Sequence, residues 1–145
     1  MGIRAGLTEI TPDVFEQVRT GGEPDLSEGP RHSIDKAWQD FHSVFRAKGQ
    51  PLSLAISGDY LHPSSSHTLD EFCKGDHDYY VGFASPTLVQ HVADSLAAVT
   101  ATEYKHWESE LFGDHYNGGE TLFPHLKAAY VDAATRNNAL MIVIT

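Results

Sequence analysis

Asp35, Lys36, Trp38 and His42 lie within one eight-residue stretch and bring together a carboxylate, an ammonium group, an indole and an imidazole. An imidazole charged or oriented by a neighbouring acid can move protons near neutral pH. Of these, His42 would be the acid/base and Asp35 its partner, at the edge of the Trp38 face. The more ordinary reading is a solvated helix shoulder, held by salt bridges worth ~0.2–0.5 kcal/mol each.

A second group, His62, His67, Cys73 and His77, offers side chains that suit zinc. The spacing gives no C-x-x-C, no paired histidines one helical turn apart and no H-E-x-x-H. They stand as weak metal candidates against a polar surface loop with a reduced thiol. Asp76-His77-Asp78 and Asp114-His115 set acids beside imidazoles in sequence, but adjacent side chains point in different directions on most backbones. Gly-x-Ser-x-Gly, the phosphate-binding Gly-Lys loop and the dinucleotide glycine pattern do not occur. No catalytic motif is present, no cofactor is implied, and the reading leans away from an enzyme.

The element that must position the first group is Ser33 to Arg46. Ser33 reads as an N-cap with Asp35 in the first turn. Ile34, Ala37, Trp38, Phe41, Val44 and Phe45 then fall on one helical face. Asp35, Gln39, His42 and Arg46 form a polar stripe beside it.

Around that helix the pattern alternates strands and helices. Ile3, Ala5 and Leu7 alternate with polar or small residues as in a half-buried strand. Thr11-Pro12-Asp13 opens a helix that Gly21-Gly22 stops. Glu23 to His32 reads as a surface loop. Pro51 to Gly58 reads as a two-turn helix, and Thr68-Leu69-Asp70-Glu71 has capping-box spacing. Tyr79 to Ala84 is an aromatic, β-branched strand. Ser85-Pro86 and Thr100 to Glu103 start two further helices. Another runs from Thr121 to Thr135, where Pro124 is tolerable only in the first turn. Ala139 to Ile144 is apolar throughout and should be a central strand covered on both faces. The expectation is an α/β or α+β fold: a small mixed sheet of three or four strands, layered with about six helices, with parallel crossovers allowed.

The whole chain narrows the partners. At 145 residues it can form one domain, 1–145, that buries ~70% of its unfolded surface. Acidic residues outnumber Lys and Arg 20 to 10, for a net charge of −10. That balance disfavours nucleic acid and anionic membrane, and it suits a basic protein partner. One cysteine allows no internal disulfide. The N-terminal stretch has no secretory pattern and no apolar run is long enough to span a bilayer, so the expected location is the cytoplasm.

The stretch Ile34-Asp35-Lys36-Ala37-Trp38, with His42 one turn on, resembles the signature of the YfbM-like family of small bacterial proteins of unknown function. The Met1-Gly2-Ile3 start, Pro51-Leu52-Ser53 through Gly58, the strand before Ser85-Pro86-Thr87 and the final helix leading into Ala139 to Ile144 resemble that family's layout. Asp59 to Asp78 is longer and richer in Ser and His than the family's usual connection, and Gly113 to Gly119 lacks its Tyr-Pro step. The resemblance implies a compact α/β sandwich in a bacterial cytosol, with Asp35, Lys36, Trp38 and His42 as its matching positions and therefore the ligand-binding candidates, and it implies no activity.

Two functions follow as expectations. The first is a small non-catalytic binding or protein-interaction module, of inhibitor or immunity type. The alternative is an enzyme or small-ligand binder using Asp35 and His42 at the edge of the Trp38 face.

Overall fold

The computed structural model describes residues 4–22, 30–65, 67–75, 79–113 and 119–145. In chain order its elements are β1 (Ala5–Ile10), α1 (Pro12–Arg19), β2 (Arg31–Asp35), α2 (Trp38–Lys48), a 3-10 turn (Leu52–Leu54), β3 (Tyr60–Leu61), α3 (Leu69–Lys74), β4 (Tyr80–Ala84), α4 (Pro86–Ala97), α5 (Ala101–Phe112), α6 (Gly119–Thr135) and β5 (Ala139–Ile144).

Four helices start where a hydroxyl can satisfy a free first-turn amide. Thr11, Thr68, Ser85 and Thr100 accept from Val14, Glu71, Leu88 and Glu103 respectively. At α3 the Glu71 side chain reaches back to the Thr68 amide, completing the capping box.

The strands form one sheet in the order β2-β1-β5-β4-β3, and every neighbouring pair is antiparallel. The apolar run of β5 takes the centre, as its lack of a polar face demands. Leu140, Ile142 and Ile144 point into the larger core with Trp38, Phe41, Phe45, Tyr104 and Tyr130, while Ala139 and Met141 point to the other face with Phe15, Val18 and Phe83 of the smaller one. Helix α6 lies across β2, β1 and β5, and α4 across β5 and β4. The opposite face is covered by α1, which is two turns long.

One buried acid ties these layers together. Glu9 of β1 takes two bonds from the Arg136 guanidinium, at 2.7 and 2.6 Å, and one from Asn138 at 2.6 Å. The Arg136 bond, and after it that of Asn138, holds the Glu9 carboxyl below its ordinary range against the opposing effect of burial.

Several local expectations change. The sheet has five strands rather than three or four, and it is antiparallel rather than mixed. Between β4 and β5 the chain runs through three helices and re-enters beside β4 in the opposite sense, so no parallel crossover forms. Ser33 is not a helix cap. It sits in β2, where Arg31, Ser33 and Asp35 alternate with His32 and the fully buried Ile34. Asp35 ends the strand with φ of 45°, and the helix starts only at Trp38 with no side-chain cap. The residues 51–58 form a 3-10 turn and further turns rather than two helical turns. Helix α6 begins at Gly119, so Pro124 lies inside it beyond the first turn. No described helix is long and apolar enough to cross a membrane.

Candidate functional site

The four motif residues separate. Asp35 lies at the end of β2, and its carboxylate meets Arg4 at 3.4 Å in a partly exposed ion pair. Lys36 is exposed in the following turn. Trp38 is 1% exposed, its ring packed in the core 5.9 Å from that of Phe72. His42 projects from the second turn of α2 toward α3.

The carboxylate that meets His42 belongs to Asp70, not to Asp35. His42 Nε2 lies 3.3 Å from Asp70 Oδ1, and Arg46 Nη1 donates to the same oxygen at 2.8 Å. The stripe of His42 and Arg46 on α2 therefore has its acid supplied by the capped helix α3. The His42 bond, then the Arg46 charge, hold the Asp70 carboxyl below its usual range. The other ring nitrogen, Nδ1, is buried and has no partner among the described residues. One nitrogen is thus occupied by Asp70 and the other is shut away from solvent. A proton donor or acceptor for an outside substrate needs an accessible nitrogen, so this geometry suits His42 to fastening α3 onto α2.

The metal candidates also spread out. His62 Nδ1 pairs with Ser64, His67 Nε2 with the Tyr79 carbonyl, and the His67 ring stacks on Phe72. Cys73 is exposed on α3. Burial by its surroundings, and then the Asp70 charge, push its thiol up, away from the nucleophilic thiolate. His77 lies outside the described residues, as do Asp76, Asp78, Asp114 and His115. Among the described residues no three His, Cys, Asp or Glu side chains converge on a metal position.

A buried acid that sequence reasoning passed over lies behind the aromatic face. Glu108 of α5 is 1% exposed, and Tyr104, one turn earlier, donates to its Oε2 at 2.7 Å. Burial pushes the Glu108 carboxyl up, and the nearby Asp40 and Glu120 charges add to this, while the Tyr104 bond opposes them. Asp40 of α2 is itself buried. Both acids were visible as carboxylates falling on apolar helix stripes, Asp40 between Ala37 and Val44, and Glu108 between Tyr104 and Leu111.

A hollow opens on the sheet face that α1 partly covers, beside β2, β1 and β5. Two cross-strand rows build it. Ser33, Gly6 and Val143 face one another along one row, and Arg31, Thr8 and Met141 along the next. These residues, with Arg4 and Thr145 at the end, line a groove of about 390 Å³. Its floor is apolar and its rim carries hydroxyls and guanidinium groups. No acid is among its described lining residues, although Asp35 reaches the lining Arg4 from beside it.

Gly6 makes the depression. It has no positive φ, and a Cβ there would meet only the His32 carbonyl oxygen, at 3.9 Å, which is ordinary contact. Neither backbone conformation nor crowding requires glycine at this position. Its effect is to leave the sheet face open.

A family model described as a domain of unknown function (DUF1877) matches residues 1–110. No curated protein matches the chain. The crystal structure of YfbM, a protein of unknown function from Escherichia coli, is similar over 99% of this chain and 100% of that one, with a TM-score of 0.60 at 17% sequence identity. A likeness at that identity speaks for the fold.

Proposed function

The chain belongs to the DUF1877 family of unknown function, and from that premise we propose that it is a small, non-catalytic, single-domain binding module of the bacterial cytoplasm. The observation that carries this reading is the Gly6 groove: an open, apolar-floored hollow on the five-stranded sheet, at a position where an added Cβ would make only ordinary contact. Its dimensions suit one or two side chains of an extended protein segment, laid along β2, the end strand of the sheet among the described residues. The apolar floor favours an apolar side chain in the groove itself, since the rim cation Arg4 is already met by Asp35. The chain's net charge of −10 favours a partner that is basic outside that contact. The His42–Asp70 pair, with its buried second nitrogen, lends no support to acid–base catalysis.

Gly6→Ile tests this. Isoleucine suits a strand and fills the groove. The variant should melt no lower than the parent and should lose proteins that the parent captures from native lysate at low salt. Capture by both proteins alike, or by neither, would remove the groove from consideration.

A further inference from the structure

Leu111 is 48% exposed, more than any other large apolar side chain among the described residues. It stands on α5 as a ridge between two hollows. One, of about 200 Å³, lies between α2 and α5 over Ala47, Lys48 and Trp107. The other, of about 450 Å³, is floored by Ala47 and Phe112 and edged by Arg46. Both include Leu111 and Ala47 in their walls.

The charges at this face are divided by helix. The last turn of α2 supplies Lys48 and Arg46, the latter already bonded to Asp70, and α5 supplies Glu110 at the wall of the smaller hollow, where the exposed His106 meets it at 2.7 Å. Lys48 Nζ lies 4.4 Å from the centre of the Trp107 ring, which holds the ammonium over the groove. A projecting apolar residue beside a hollow, flanked by a cation on one side and an anion on the other, is complementary to its own copy turned by a two-fold rotation.

We infer that this face is an interface between two copies of the chain, with Leu111 of each seated in the partner's hollow and Lys48 of each meeting the partner's Glu110. A partner of a single charge sign fits less well, because one flank would then repel it. The surface lies on the helical side and is distinct from the Gly6 groove.

Sedimentation equilibrium of the full chain, from micromolar to millimolar concentration, tests the inference. The parent should show a monomer–dimer equilibrium. Leu111→Arg should keep its circular dichroism spectrum and raise the dissociation constant by roughly tenfold or more, as loss of a central apolar anchor does. Lys48→Glu and Glu110→Lys should each weaken the dimer, and the double variant should recover most of the loss. A parent that is monomeric throughout, a dimer indifferent to Leu111→Arg, or a double variant weaker than both singles would overturn it. Gly6→Ile should dimerise as the parent does, so failure of the groove and failure of the dimer are separate results.

Discussion

The Tyr104 hydroxyl donates to Glu108 Oε2 at 2.7 Å within the core, while Glu108 Oε1 has no hydrogen-bond partner among the described residues. An ionised carboxylate with one oxygen unsolvated is costly, and Asp40 and Glu120 add like charge. Glu108 therefore holds its proton longer when folded than when unfolded. Its contribution to stability falls as pH rises from the ordinary carboxylate range toward the raised folded value, by at most about 1.4 kcal/mol per pH unit. Glu108→Gln keeps an acceptor for Tyr104 and removes the titration. Its melting temperature should match the parent near pH 4 and exceed it increasingly toward neutrality. Parallel melting curves across that range would show that Glu108 titrates normally.

Gly119 starts α6 against this same pair. A Cβ there would overlap Glu108 Oε2 and the Tyr104 hydroxyl. Alanine ordinarily improves a helix, so the two effects oppose each other, and overpacking at ~1–3 kcal/mol outweighs the propensity gain. Gly119→Ala should lower the denaturation midpoint. Pairing it with Glu108→Ala, which clears the space, should make the combined loss smaller than the sum of the two single losses. Additive losses would place the clash elsewhere.

Asp70 titrates in the opposite sense. Its carboxyl is held low by His42 and then by Arg46, so the stabilisation is present above the ordinary carboxylate range and is lost as pH falls through the lowered folded value. The pair is partly exposed, and salt screens it. Asp70→Asn should cost only ~0.2–1 kcal/mol at neutral pH. Chemical denaturation in urea should show that deficit shrinking at acidic pH and in high salt. A deficit that stays constant under both conditions would mean packing rather than charge.

Where the sequence pattern was strong, the elements were legible. The hydroxyl caps at Thr11, Thr68, Ser85 and Thr100 each mark a helix start, because a local side chain satisfies a local amide. The apolar run at Ala139 to Ile144 places β5 at the centre, because both its faces need cover. Ser33 misled for the same local reason. Ser, Ile and Asp fit a capped helix as well as an edge strand, and pairing with β1 decides between them. The aromatic face of α2 was readable from spacing. The acid opposite His42 was not, since Asp70 stands 28 positions away and arrives through α3. The Gly6 groove was hidden too, because an open sheet face depends on how far α1 reaches.

The place of β5 fixes when this protein can fold. The pairs β2–β1 and β4–β3 share no rung with each other and meet only through residues 139–144. During synthesis the earlier strands stay unjoined until β5 leaves the ribosome. Until then both β1 and β4 present a bare edge, the kind of edge on which an unfinished sheet pairs with other chains.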